Sequence, residues 1–266
     1  MKRYGRIGTR RQLFKVVAAG VASIPFLASP KKSASQVIDA AEVIDAARRR
    51  RHVGCLLKGT KVSTPSGYRP VQELQIGDEV HTLAGRKAIK WIGYSKFTKD
   101  EGSTWQDSVM PIRVARFAID DLSPRNDLYL SPQHCIFFNK ALIPIKYLIN
   151  GISVAPGAPS EMSAIEYYHI DLNTHEVIYA EGALVESFLE EEWEREYFSN
   201  FVQYERLYGA ECRPKMPPFA PILRYRNRRQ RIEGVARSLI SNIVDLRDPI
   251  QIAHDQIARR AEAVFV

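Results

Sequence analysis

Cys55 directly follows Gly54 and opens the stretch Cys55-Leu56-Leu57-Lys58-Gly59-Thr60, so a thiol stands next to the carbonyl of a residue that has no side chain. A cysteine so placed can attack the carbonyl before it and turn the Gly54–Cys55 amide into a thioester. Thiols titrate near 8.5, so roughly a few per cent is thiolate at neutral pH, and a base or a positive neighbour raises that share. An amide is more stable than a thioester. The protein must therefore strain the bond, or stabilise the oxyanion and protonate the departing amine. His134 is the residue type for that transfer, because an imidazole near pKa 6.5 both holds and releases a proton at neutral pH. Ser131, three residues earlier, can donate to the oxyanion or orient the histidine. Taken singly, a histidine after a Pro132-Gln133 turn is more often a structural hydrogen bonder, and a lone cysteine is usually a small buried hydrophobe.

The elements that would position these groups are short β-strands. Thr60–Thr64 and Tyr68–Val71 flank Pro65-Ser66-Gly67, and Glu79–Leu83 and Lys87–Tyr94 flank Ala84-Gly85-Arg86, two hairpin signals. Further runs lie at Ile112–Phe117, Leu128–Leu130, Cys135–Phe138, Ala141–Ile145, Ile165–Leu172 and Val177–Ala180, a density that predicts an all-β unit. Asp78 is expected to satisfy turn amides at the Gly77-Asp78 corner. After Phe188 the pattern turns helical. Ile232, Val235, Ala236, Leu239, Ile240 and Ile243 make one apolar helix face, and Glu190–Glu196 and Ala253–Ala263 also read as helices around a Pro-rich hinge at Pro214–Pro221. This tail reads as a brace or docking element, and the Arg224–Arg231 cluster as a solvated helix face.

The chain has 266 residues and a formal net charge of +8, which invites a nucleic-acid reading until the charge is located. Eight basic and no acidic residues fall in 1–35; removing them from the 38 leaves 30 basic against 30 acidic, so the body is neutral and no nucleic-acid partner is expected. Within that segment Thr9-Arg10-Arg11-Gln12-Leu13-Phe14-Lys15 resembles a twin-arginine export signal with Phe and Leu exchanged. The apolar run Val16–Ser29 that follows is shorter than the roughly 20 residues a spanning helix needs, and reads as a signal h-region with small residues at Ser33 and Ser35 for cleavage. An exported protein, touching the membrane only through its signal, is the expectation. Cys55, Cys135 and Cys212 are odd in number and widely spaced, against a disulfide framework or zinc knuckle; no cofactor or metal is expected.

Cys55 to Thr64 and then Gly67-Tyr68-Arg69-Pro70-Val71-Gln72-Glu73-Leu74-Gln75-Ile76-Gly77-Asp78-Glu79-Val80 resemble the opening block of the Hint family, shared by inteins and hedgehog autoprocessing domains. Leu130-Ser131-Pro132-Gln133-His134 resembles its Thr/Ser-x-x-His block, and Tyr168–Leu172 with His175–Gly182 its closing block, nearest the bacterial intein-like subgroup with an Ala-Glu-Gly…Glu-Ser ending. The resemblance implies an all-β Hint-type unit over 55–192, behind an export signal at 1–35 and a connector at 36–54, with a helical tail at 193–266. It also implies that Ser131 and His134 contact the scissile amide, and it matches His175 to a histidine that helps drive the last step in the family; for His175 a packing role is the alternative.

Departures from the family narrow the reaction. Splicing inteins end in His-Asn, whose asparagine cyclises; here the dipeptide is Glu186-Ser187, and serine forms no succinimide. Hedgehog-type domains use an aspartate where this chain reads Lys90-Trp91-Ile92-Gly93-Tyr94-Ser95, without a carboxylate. Splicing and sterol transfer are thus not expected. One reading is a single-turnover, self-cleaving domain with Cys55 as nucleophile, Ser131, His134 and His175 assisting, Gly54–Cys55 as the scissile bond and the chain's own N-terminal segment as substrate. The alternative keeps the fold without the reaction, as a binding or surface module on an exported protein. His169 and Cys135 are assigned to structure, as is Cys212.

Overall fold

Residues 54–100, 102–159, 162–191, 194–209, 215–225 and 248–266 are described by a computed structural model. The expected export signal, the connector up to residue 53, Cys212 and the expected helix at Ile232–Ile243 lie outside them, as do the arginines after Arg224 in the basic cluster. The short runs become antiparallel strands, joined by three at β1, β11 and β14 that the sequence pattern does not mark: β1 (Leu56–Leu57), β2 (Lys61–Thr64), β3 (Gly67–Pro70), β4 (Glu79–Thr82), β5 (Gly85–Ala88), β6 (Trp91–Thr98), β7 (Ile112–Val114), β8 (Leu128–Leu130), β9 (Cys135–Phe138), β10 (Ala141–Pro144), β11 (Val154–Pro156), β12 (Ala164–Asp171), β13 (Val177–Ala180) and β14 (Ala183–Glu186). One sheet runs β11-β7-β8-β1-β12-β6. The other runs β10-β9-β14-β13-β2-β3, with β4 joined to β13 and β5 to β4.

Turn chemistry sets the corners. Asp78 Oδ2 accepts the Gln75 N–H at 2.9 Å and the Arg69 guanidinium at 2.9 Å, holding the corner before β4. Between β13 and β14 Glu181 and Gly182 both take positive φ, 49° and 85°. Glu181 bears that conformation because its carboxylate is held from two sides, by the Lys61 N–H at 2.7 Å and Asn126 Nδ2 at 2.8 Å. The run expected as one strand over Lys87–Tyr94 is instead two. Ile89 N–H still donates to Asp78 O, at 2.8 Å, but Lys90 N–H donates to Asp171 O, at 2.7 Å, so the chain changes sheets between them.

The pair β6–β12 is buried on both faces. Ile92, Tyr168 and Ile170 face the main core with Leu56, while Trp91, Ile165 and Tyr167 face a second apolar cluster with Cys55 and Leu57. The chain beyond β14 supplies the other half of that cluster: Phe188, Leu189, Phe198, Tyr204 and Met216. Ser199 N–H donates to Tyr94 O at 2.8 Å, and the Asn200 amide bonds Tyr94 N–H and Ile92 O at 2.8 and 2.9 Å, so the free edge of β6 is covered. Helix α1 (Phe201–Tyr208) follows. Helix α2 (Pro249–Phe265) is capped by Asp248 and buries Ile250, Ala253, Ile257 and Ala261 along one stripe, three of which join the main core. The helix expected at Ala253–Ala263 therefore exists and starts earlier. No helix among the described residues is long and apolar enough to cross a membrane.

The helix expected over Glu190–Glu196 is replaced by an irregular segment with one 3₁₀ turn at Glu194–Tyr197. Its charges point inward: Arg195, fully buried, bonds Asp171 Oδ2 at 2.8 and 3.1 Å and also pairs with Glu190. Its guanidinium lies 4.7 Å from the ring centres of Phe188 and Tyr204. Three charges drawn to one buried point override helical propensity. Removing Arg195 alone leaves two buried carboxylates without their counter-charge, so Arg195→Ala should cost about 3–5 kcal/mol in urea unfolding. Adding Asp171→Asn and Glu190→Gln should recover part of that loss, and a loss below about 1 kcal/mol would refute this account.

Candidate active site around Cys55

The strand β1 is two residues long and lies between β8 and β12, with Leu56 opposite Leu130 on one side and Tyr168 on the other. Stepping the register back one residue puts Cys55 between Ser131 and His169. Ser131 N–H donates to Cys55 O at 2.9 Å, and the Cys55 N–H, the hydrogen of the candidate scissile amide, donates to Ser131 Oγ at 2.8 Å. The hydroxyl thus sits on the amide nitrogen, where the sequence reading had placed it on the oxyanion or the histidine. Residues directly opposite in such a ladder have Cβ atoms about 4.5–5.5 Å apart, which puts His169 across from the Cys55 thiol on the face of the second cluster. Burial, and then the negative charge of Glu186, push that thiol well above its ordinary range, so it rests protonated.

Gly54 is fixed by close approach. A Cβ there would lie 2.8 Å from His134 Cα, 2.9 Å from Glu186 Oε1 and 3.3 Å from His134 Cβ, a space only glycine fits. His134 is held by its backbone, with its N–H on Ser131 O at 3.0 Å and its O accepting the Ile145 N–H at 2.9 Å. The ring is fully buried, and neither nitrogen has a hydrogen-bond partner. Burial pushes the imidazole down to about 4, with Glu186 and the Gly54 backbone acting in the opposite direction.

His169, assigned to structure from sequence, stands beside it with ring centres 5.2 Å apart and both nitrogens unbonded. Burial, and then His134, bring it down to about 3. His175 lies in the turn between β12 and β13. Its Nδ1 accepts the Phe219 N–H at 3.1 Å, which leaves the ring proton on Nε2, 3.7 Å from Glu186 Oε2. Glu186 Oε1 accepts the Cys135 N–H at 2.7 Å. Burial would raise this carboxyl, but His175, His134 and His169 bring it down to about 2, so it is ionised at neutral pH. Ser187 is committed to the ladder, its Oγ and N–H both bonded to the Glu176 backbone at 2.8 Å.

The structure therefore brings Gly54, Cys55, Ser131 and His134 into direct contact through neighbouring backbone and side chains, with His175 reaching the group through Glu186. Glu186 and His169 are the two site neighbours that sequence reading left out. The signal for His169 was its place on the Tyr167-His169-Asp171 face, which becomes informative only with the β1–β12 register. Among the described residues no group of three or more His, Cys, Asp or Glu side chains is arranged to hold a metal ion. What the arrangement gathers at one buried amide is a thiol, a serine hydroxyl on the amide nitrogen, and an imidazole whose backbone and Cβ lie against Gly54.

Two imidazoles with folded pKa values of about 4 and 3 bind fewer protons than in the unfolded chain, where histidine titrates near 6.5. Stability is then full above about pH 6.5 and falls as the pH drops from there towards 4 and 3. Glu186, depressed to about 2, loses its contribution below about 4.5, in the same direction. Going from pH 7 to pH 5 should cost on the order of 2 kcal/mol per imidazole in urea unfolding. His134→Gln with His169→Gln should flatten that slope, and an equal slope in the variant would count against buried neutral rings.

No curated protein matches the chain. Solved structures similar to it include the gp41-1 intein, 16% identical over 50% of this chain and 98% of that one, with a TM-score of 0.36. The Ssp DnaB mini-intein variant M86 is 10% identical over 53% and 99%, with a TM-score of 0.37. The bacterial intein-like domain from Clostridium thermocellum is 8% identical over 52% and 100%, also at 0.37. The family model for the Hint domain matches residues 54–192, beginning at the glycine of the candidate scissile bond and covering more than half of the sequence, and the chain belongs to the Hint domain family.

Proposed function

We propose that this Hint domain acts once, on its own chain, by an N-to-S acyl shift at Gly54–Cys55, followed by release of the N-terminal segment and without splicing. The observation that carries the reading is the setting of one amide: its glycine is packed against His134, and its N–H rests on the Ser131 hydroxyl. Neutral His134 takes the Cys55 thiol proton as the sulfur bonds to the Gly54 carbonyl carbon, and the tetrahedral intermediate forms. The carbon–nitrogen bond then breaks, and His134 returns the proton to the Cys55 nitrogen. Ser131 holds that nitrogen in place throughout. His169, on the other side of the thiol, shields the site with Phe188 and Phe198, whose rings lie 5.5 and 6.4 Å from its own. An external nucleophile, water or a thiol, resolves the thioester. In this reading the twin-arginine-like segment exports the protein and is its only membrane contact. No cofactor, metal or nucleic acid takes part.

One observation favours a silent Hint-fold module instead. Cys55 is 5% exposed and His134 fully buried, with the thiol protonated and the ring neutral at rest. Mass spectrometry of the purified chain after incubation with dithiothreitol or hydroxylamine separates the two. Self-processing predicts thiol-accelerated scission between Gly54 and Cys55, abolished by Cys55→Ala and slowed roughly 10²–10⁴-fold by His134→Ala. A chain that stays intact under every condition leaves only the binding module, and an unchanged rate in His134→Ala removes that residue from the chemistry.

A further inference from the structure

Glu186 stands where splicing relatives would carry the histidine that serves their downstream cut, and the reading above gives it no task. Its position is nonetheless on the upstream bond. Oε1 would be 2.9 Å from a Cβ on Gly54, and among the described residues Glu186 is the carboxylate whose charge raises the Cys55 thiol and supports a proton on the His134 ring. The groups around it come from every neighbouring element: Cys55 ahead of β1, His134 and Cys135 at the start of β9, His169 on β12 and His175 in the turn after it. From the tail, the Arg224–Glu191 pair at 2.9 Å adds its charges on the Cys135 side. Glu176, just before β13, is occupied by Lys87 at 3.5 Å and by Thr174.

We propose that Glu186 is the counter-charge of the acyl shift, a positioning residue that steadies the proton on His134 between its removal from the Cys55 thiol and its delivery to the departing nitrogen. The idea rests on the self-processing reading. In the step, the sulfur–hydrogen bond breaks and its proton goes to His134, a sulfur–carbon bond forms to Gly54, and the carbon–nitrogen bond opens. The nitrogen then takes the proton back as the amine. No charge is gained or lost, and Glu186 stays ionised throughout. The charge that must appear in a buried ring is an imidazolium, and a fixed carboxylate is what makes such an ion tolerable in the interior. The same charge makes free thiolate costly, so proton removal and attack occur together and the resting thiol stays protonated. Two fixed contacts hold the carboxylate ready, the Cys135 N–H on Oε1 and His175 facing Oε2, with His175 itself oriented by the Phe219 N–H of the tail.

The test is a double-mutant cycle on the rate of dithiothreitol-dependent cleavage, read by mass spectrometry of the full chain. Glu186→Gln keeps the acceptor for the Cys135 N–H and removes only the charge, and should slow cleavage roughly 10–100-fold, with Glu186→Asp recovering part of the rate. In a His134→Gln background the same change should alter the residual rate by less than about twofold, because the charge has no proton left to steady. Equal slowing in both backgrounds, or a wild-type rate in Glu186→Gln, overturns the proposal. If Glu186→Gln does not fold, Glu186→Asp carries the cycle, and equal slowing in both backgrounds overturns it there too. An intact wild-type chain would sink the self-processing reading itself, which is a different result from an active wild type whose Glu186 effects are additive.

Discussion

A peptide group taken out of water has to be hydrogen-bonded, and the amide joining Gly54 to Cys55 is buried. Its N–H cannot find a ladder carbonyl, because β1 begins only at Leu56, and so a side chain, Ser131 Oγ, accepts it. Much of the site follows from that requirement. Ser131 must sit at the end of β8, its own N–H returns to Cys55 O, and its carbonyl holds His134 N–H at the next turn. Once His134 is drawn in this close, residue 54 has no room for a Cβ. One need for a hydrogen bond thus gathers the glycine, the cysteine, the serine and the histidine.

The second constraint is that the β6–β12 pair has two apolar faces and one sheet can cover only one. The chain after β14 covers the other, with Phe198 packed so closely on Gly93 that a Cβ there would meet its ring at 2.7 Å. The buried Arg195 cluster and the bonds from Ser199 and Asn200 to the β6 edge fix that segment as part of the body. The described tail therefore packs as a brace, and it also encloses Cys55, keeps water from His169 and, through Phe219, sets the tautomer of His175.

Local patterns carried the first two hairpins, the Gly77-Asp78 corner, β12, β13 and most of α2, because each depends on residues a few positions apart, whereas β14 carried no such mark. The sheet switch at Ile89–Lys90 was hidden, since an unbroken strand-like run says nothing about which partner takes each half. The Glu190–Glu196 segment read as a helix because its charges look like a solvated face, and only the distant Asp171 turns Arg195 inward. Cys55, Ser131 and His134 could be named from residue type and motif. His169 and Glu186 could not, because their place beside Cys55 and Gly54 comes from long-range strand pairing, and a histidine or glutamate on a strand otherwise reads as packing.

The two ends of the Hint body differ in what surrounds the peptide bond. At Glu186–Ser187 the neighbours are ladder groups: Ser187 bonds the Glu176 backbone through both its N–H and its hydroxyl, and the next N–H, of Phe188, goes to Ile170 O at 2.8 Å. The Glu186 carboxylate points away from that bond toward Gly54, and the His134 and His169 rings lie against the Glu186 and Ser187 backbone. At Gly54–Cys55 the neighbours are a hydroxyl, a thiol, an unbonded imidazole and that same carboxylate. Burial keeps the imidazole neutral and the thiol protonated, which opposes the first proton transfer, and Glu186 favours the imidazolium while opposing the free thiolate. In the proposed reaction that balance favours proton transfer and sulfur attack as one step at the upstream bond, while at the downstream bond the Ser187 hydroxyl is held by the Glu176 N–H and serine has no amide to cyclise.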